Sequence, residues 1–95
     1  MVRVRVRGFA VFGDIFGSEE LEISTDAETI AQLIAHLGRR IGKELESALL
    51  DRATGEIQRG NKVLVNGRDV ESLQGLTTRL EDGDRVVFFP PVGGG

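Results

Sequence analysis

The start of the chain alternates strictly between valine and arginine, and this pattern constrains the fold more than any other: Val2, Arg3, Val4, Arg5, Val6, Arg7. Successive side chains of a β-strand point to opposite faces, so a period of two predicts a strand with one apolar and one charged face. The apolar face needs a second layer to cover it. The sequence therefore predicts a sheet that is covered on one side.

A second alternation, from Glu20 to Ile23, predicts another strand. Between the two strands the chain offers residues that favour turns, namely Gly8, Gly13, Asp14 and Gly17. The N-terminal part is therefore predicted to form a β-hairpin.

A helix is predicted to follow, starting near Thr25. The segment from Thr25 to Glu28 fits a capping box, in which the hydroxyl and the carboxylate satisfy free backbone N–H groups. Apolar residues then recur at helical spacing and predict one buried stripe: Ile30, Leu33, Ile34, Leu37, Ile41. Gly38 or Gly42 is expected to end the helix.

Shorter elements are predicted in the rest of the chain. Leu73 and Leu76 are expected to form an irregular turn of core. A short helix and two strands are expected at Lys43–Leu50, Lys62–Val65 and Arg85–Phe89, with turns at Asn66-Gly67 and Asp82-Gly83-Asp84. This order predicts an α+β fold of the β-grasp (ubiquitin-like) type, with a mixed four- to five-stranded sheet packed on one main helix. Other small α+β folds are also compatible with the pattern. The predicted division is a domain over 1–89 and an extended, flexible tail over 90–95.

Composition excludes several kinds of function. The chain has no cysteine, which excludes a disulfide, a thiolate nucleophile and a cysteine metal site. His36 is the only histidine, so we expect no metal site. The net charge of −3 argues against a nucleic-acid partner. Apolar runs stay shorter than the roughly 18 residues of a membrane span, and no signal peptide is evident, so we expect a cytoplasmic protein without a membrane partner.

The C-terminal residues are the strongest candidate for a functional site. Pro90 and Pro91 lack an N–H group and have a fixed φ angle, so the last strand must stop there. Six residues from Pro90 can reach at most about 20 Å. Glycines at 93–95 have no Cβ and can pass through a narrow channel. The Gly95 carboxyl group is thus predicted to reach into the active site of another protein.

A carboxylate becomes a good electrophile only when one of its oxygens becomes a good leaving group. Adenylation by ATP would achieve this, but the chain offers no base, metal site or nucleotide-binding loop for the step. We therefore expect a non-catalytic carrier with no bound cofactor, whose activating enzyme uses ATP. An inert tail on a β-grasp binding module is the alternative, since terminal glycines are often frayed ends.

Four segments near the C-terminus carry a resemblance to a known family: Val65–Asp69, Leu80–Val86, Phe88–Val92 and Gly94-Gly95. In these segments the chain resembles the MoaD/ThiS-like ubiquitin-like sulfur carriers, which include the molybdopterin synthase small subunit and the archaeal ubiquitin-like modifiers. The resemblance implies that Gly95 is adenylated and then thiocarboxylated, with Gly94 as the slender residue before it. The implied function is sulfur donation in molybdenum (or tungsten) cofactor biosynthesis.

The same resemblance implies partners. They are an E1-like adenylating enzyme and a MoaE-like large subunit of molybdopterin synthase. Phe89 matches a family phenylalanine on an exposed apolar patch, and Phe9 is expected to join it because strand parity places it on the arginine face. Ordinary core positions are the alternative for both rings. The partner-binding segment would continue through Pro90, Pro91, Val92 and Gly93. Family members usually carry Thr, Ser or Ala at position 93, so this tail is expected to be more flexible.

Two further functions remain open. A protein modifier would be joined through Gly95 to target-protein lysines, and a carrier could instead supply sulfur for tRNA thiolation or thiamin. Lys43 and Lys62 are the only lysines, which limits self-conjugated chains to two sites and favours the carrier slightly.

Overall fold

The fold is a mixed sheet with helices on one side. The structure is a computed structural model that describes residues 1–17 and 19–91. Its strands are β1 (Val2–Gly8), β2 (Leu21–Thr25), β3 (Lys62–Val65), β4 (Arg68–Asp69) and β5 (Arg85–Phe89). Its helices are α1 (Val11–Phe16), α2 (Ile30–Ile41) and α3 (Glu44–Leu49), with 3₁₀ turns at Val70–Ser72 and Gly75–Thr77.

The first and last strands lie side by side at the centre of the sheet. The strand order is β2-β1-β5-β3-β4. Strands β1 and β5 are parallel, with Val6 opposite Val86, whereas the other neighbouring pairs are antiparallel. This arrangement confirms the predicted β-grasp fold.

The valines of β1 lie on the covered face, as the alternation predicted. Val4 and Val6 are completely buried, whereas Arg3, Arg5 and Arg7 are exposed. One face of α2 packs into the same core, and Gly42 ends this helix as expected. The largest completely buried side chains of this core are Phe12, Phe88, Ile30, Leu33, Ile34, Leu37, Leu45 and Leu49.

The predicted start of the main helix is wrong by one turn. Thr25 ends β2, where it pairs with Val2, and its hydroxyl accepts a hydrogen bond from the Ala27 N–H at 3.0 Å. The helix begins at Ile30, and the hydroxyl of Thr29 caps it by accepting from the Gln32 N–H at 3.2 Å. Two capping signals therefore follow each other in the sequence, and strand pairing removes the first from the helix.

The connection between β1 and β2 also differs from the predicted turn, because it contains α1. Phe12 and Phe16 are four residues apart, lie on one face of this helix and are buried. Burial of the two rings outweighs the poor helix propensity of Gly13 and Asp14.

The core turn predicted near position 75 is half correct. Leu76 packs against the core, but Leu73 is 38% exposed. Leu73 follows the 3₁₀ turn at Val70–Ser72, in which Val70 takes the buried position.

Candidate functional site

Strand β5 separates two phenylalanines onto opposite faces of the sheet. Phe88 is completely buried under the helices, whereas Phe89 is only partly buried on the outer face. Val87 is also partly buried, lies on the outer face, and pairs with Arg7 on one side and Leu64 on the other. The last strand thus contributes apolar side chains to both faces.

The outer face carries a pair of stacked aromatic rings. The ring centroids of Phe9 and Phe89 lie 4.7 Å apart, with an angle of 2° between the ring planes. Phe9 is 38% exposed, and the guanidinium carbon of Arg7 lies 4.9 Å from its ring centroid, within the range of a cation–π contact. We call the apolar surface formed by Phe9, Leu64, Val87 and Phe89 the outer patch; it lines a shallow groove.

The backbone holds Phe9 in place beside β5. Its N–H donates to the Phe88 carbonyl at 3.0 Å, and its own carbonyl accepts from the Phe12 N–H at 3.1 Å. Ala10 turns the chain between them with φ 54° and ψ −123°, a conformation that glycine usually adopts. Gly8 makes this turn possible, because a Cβ there would lie 2.5 Å from the Phe12 carbonyl carbon.

Charged side chains surround the outer patch. Arg85 pairs with Glu20 at 2.8 Å, and Lys62 pairs with Asp69 at 3.0 Å. The hydrogen bond and the charge of Asp69 raise the pKa of Lys62. The Glu71 backbone N–H, at 2.9 Å, and then Lys62 lower the pKa of the Asp69 carboxyl group.

The C-terminal segment leaves the sheet next to the outer patch. The last paired residues are Phe89 and Lys62. Pro90 is half-buried and Pro91 is exposed. The other residues proposed from the sequence, Val92, Gly93, Gly94 and Gly95, lie outside the described residues, so their roles stay predictions.

Three further observations concern other parts of the described chain. His36 is half-buried on α2, and its Nε2 atom finds no hydrogen-bond partner among the described residues. Within residues 1–17 and 19–91, no cluster of three or more His, Asp or Glu side chains could hold a metal ion. In the same ranges no helix is both long and apolar enough to span a bilayer.

Sequence reasoning missed Leu64 and Val87 as parts of the outer patch. The alternation in β5 was a sufficient signal for Val87, because it shares the parity of Phe89. Leu64 could be found only from the register between β3 and β5, which no local pattern reveals.

Comparison with known proteins gives consistent matches along the chain. The family model described as "ThiS family" matches residues 6–95. A candidate sulfur carrier protein of Archaeoglobus fulgidus is 41% identical over 76 residues, which is 80% of this chain and 84% of the relative. Small archaeal modifier protein 3 of Haloferax volcanii is 32% identical over 99% of this chain and 100% of its own length.

Solved structures match over almost the whole chain. Small archaeal modifier protein 1 of Methanosarcina acetivorans superimposes with a TM-score of 0.83, at 27% identity over 100% of this chain and 98% of that one. A chain of the Amycolatopsis orientalis BexX/CysO complex gives 0.79, at 25% identity and 97% and 99% coverage. A candidate subunit 1 of the Pyrococcus furiosus molybdopterin converting factor gives 0.74, at 28% identity and 97% and 100% coverage.

Proposed function

The chain belongs to the ThiS family of sulfur carriers and ubiquitin-like modifiers, and from this premise we propose that it carries sulfur on the carboxyl group of Gly95. A carboxylate oxygen of Gly95 attacks the α-phosphorus of ATP and displaces pyrophosphate, which gives an acyl-adenylate. Sulfide then attacks the acyl carbon and displaces AMP, which leaves a thiocarboxylate. Each step occurs in the active site of an E1-like adenylating enzyme, since the reacting groups of this chain are only its own terminal atoms.

The outer patch is the proposed docking surface for that enzyme. The observation that carries the proposal is the exposed stack of Phe9 on Phe89, immediately before the C-terminal segment. Aromatic side chains that are exposed in the free protein and become buried in a complex often supply most of the binding energy. The six residues from Pro90 to Gly95 can span at most about 20 Å from this anchor. The outer patch therefore binds the surface of the adenylating enzyme, while Gly94 and Gly95 reach into its active site.

The proposed acceptor of the sulfur is a precursor of the molybdenum or tungsten cofactor. In that reaction this chain is the small subunit of a molybdopterin synthase, and a MoaE-like large subunit binds the same outer patch. The support is the Phe88–Val92 motif before the terminal glycines and the likeness to the Pyrococcus furiosus protein.

The Haloferax relative supports protein modification as a second candidate, since its name is that of a modifier and the likeness covers 99% of this chain. In that reaction a lysine amine of a target attacks the same acyl-adenylate. The two lysines of this chain differ as acceptors, because the Lys62 amine is held in an ion pair with Asp69 at 3.0 Å. Self-conjugation is therefore expected at Lys43, which is exposed before α3.

Reconstitution with the cognate adenylating enzyme, ATP and sulfide tests the proposal. The full-length chain is expected to gain one sulfur in place of one oxygen, as measured by intact mass. A chain without Gly95, or with a bulky residue after it, should keep its fold and gain none. Sulfur transfer to the shortened chain at the normal rate would refute the proposal.

A second measurement separates the two acceptors. A lysate of the native host is incubated with the activated protein and separated under denaturing conditions. Covalent adducts that depend on Gly95 would favour modification, and sulfur release to a pterin precursor without adducts would favour the carrier.

A further inference from the structure

A tight turn lies directly beside the point at which the C-terminal segment leaves the sheet. It comprises residues 58–61 and closes with a hydrogen bond of 3.0 Å from the Asn61 N–H to the Gln58 carbonyl. Gly60 occupies the third position with φ +93°, where a type II turn requires glycine. Lys62 follows at once and pairs with Phe89, so the turn and the end of β5 are in register.

Two side-chain amides attach this turn to α3. The amide of Asn61, which is 5% exposed, donates to two backbone carbonyls at 2.9 and 3.1 Å, and the amide of Gln58 donates to two more at 2.9 and 3.2 Å. The four acceptors are the carbonyls of Ser47, Ala48, Leu49 and Leu50. A helix leaves such carbonyls without partners at its C-terminus, so the turn satisfies them and is itself held rigidly.

Pro91 lies against Gly60 in this turn. A Cβ atom built on Gly60 would be 2.9 Å from Cγ and 3.1 Å from Cβ of Pro91. The proline ring can move only together with the backbone, because it includes the backbone nitrogen and Cα. Any side chain at position 60 therefore requires Pro91 or the turn itself to move.

We propose that Gly60 is a positioning residue for the reaction of Gly95. The missing side chain makes room for Pro91 on a rigid turn, and this contact sets the direction in which the last residues leave the sheet. The inference rests on the proposed function of Gly95. Gly95 is the fourth residue after Pro91 and lies at most about 14 Å from it, so a displacement of Pro91 moves the region that the carboxyl group can reach. Misplacement of a reacting group by about 1 Å can cost about 100-fold in rate.

The test compares Gly60→Ala with a control that has the same backbone strain. Gly83 has φ +91° and no neighbouring atom within 4 Å of an added Cβ, so Gly83→Ala imposes the strain of a positive φ without a collision. We expect Gly60→Ala to lower kcat for adenylation by the cognate enzyme at least tenfold. KM should stay within twofold, because the outer patch is unchanged. Gly83→Ala should leave both constants within twofold, although the strain of a positive φ lowers its Tm.

A second variant shows whether the effect acts through Pro91. Pro91→Gly removes the ring atoms that a Cβ on Gly60 would meet, and it should by itself lower kcat severalfold. In this background Gly60→Ala should have no further effect on kcat. The comparison of Pro91→Gly with the double variant also keeps the test decisive if Gly60→Ala alone folds poorly.

Three results would overturn the inference. They are an unchanged kcat in Gly60→Ala, an equal loss in Gly83→Ala, and a full additional loss in the Pro91→Gly background. If the wild-type chain itself forms no adenylate, the proposed function of Gly95 fails together with the role of Gly60. Normal adenylation of both wild type and Gly60→Ala would refute only the role of Gly60.

Discussion

Phe88 and Phe89 are neighbours in the chain and lie on opposite faces of the same strand. Phe88 is completely buried and its ring tilts against Phe12 and Phe16, at centroid distances of 6.1 and 5.3 Å. Phe89 lies partly exposed and stacks on Phe9. Parity in the strand, rather than residue type, therefore decides whether an aromatic ring stabilises the fold or remains available to a partner.

The largest effect is expected from Phe88→Ala. Removal of a completely buried ring leaves a cavity between β5 and α1, and such changes cost about 3–5 kcal/mol of stability. Urea denaturation should show this loss, which is a large part of the total for a domain of this size. A loss below about 1 kcal/mol would show that the two faces of β5 do not differ as described.

Phe89→Ala should mainly change partner binding rather than stability. Binding to the adenylating enzyme should weaken by about 1–3 kcal/mol, the usual scale for an aromatic anchor. The free energy of unfolding should fall by only about 0.5–1.5 kcal/mol, because the stack with Phe9 is lost at a partly exposed site. Calorimetric titration and denaturation measure the two quantities.

Leu73→Ala is the matched control, because Leu73 is exposed to the same degree as Phe9 but lies outside the outer patch. Leu73→Ala should change neither binding to the adenylating enzyme nor the free energy of unfolding. Equal weakening of binding in Phe89→Ala and Leu73→Ala would show that the outer patch has no special role.

A smaller effect is expected at Arg7. Its contact with the Phe9 ring is exposed, and such cation–π contacts contribute about 0.5–1 kcal/mol. Arg7→Gln should lower the free energy of unfolding by this amount, whereas Arg5→Gln, on the same face of β1, should lower it less. An equal loss in both variants would contradict a specific contact with Phe9.

The smallest effect concerns acid stability at the edge of the outer face. The pKa of Asp69 is lowered from its ordinary value of 3.8, chiefly by the Glu71 N–H. A lowered folded-state pKa contributes stability above the unfolded pKa, and this contribution is lost as the pH falls through the folded value. Asp69→Asn should therefore reduce the loss of stability as the pH falls from about 5 to well below the ordinary value of 3.8, as measured by urea denaturation. An identical loss in both proteins would contradict this contribution of Asp69.

The sequence was most informative where a pattern repeats. The alternation in β1 predicted its buried valines, and parity predicted that Phe9 lies on the arginine face. The turn at Asn66-Gly67 was also predictable, because asparagine and glycine tolerate positive φ angles. Both residues adopt such angles in the structure. In each case a local rule and the tertiary fold favour the same conformation.

Prediction failed where long-range packing overrides a local signal. Pairing with Val2 keeps Thr25 in a strand, although its own neighbours fit a helix cap. Burial against Phe88 makes Phe12 and Phe16 helical despite the intervening Gly13. The contact of Pro91 with Gly60 joins positions 31 residues apart in the sequence, so no local pattern could indicate it.

The claim that Gly95 carries sulfur is tested most directly by the intact mass of the full-length chain purified from its native host. The account predicts a fraction heavier by the difference between one sulfur and one oxygen, with the change located in the C-terminal peptide. Treatment with an alkylating reagent specific for thioacids should shift this fraction and leave the rest unchanged. A single unmodified mass from cells that contain the adenylating enzyme and a sulfur donor, with no alkylated C-terminal peptide, would contradict the account.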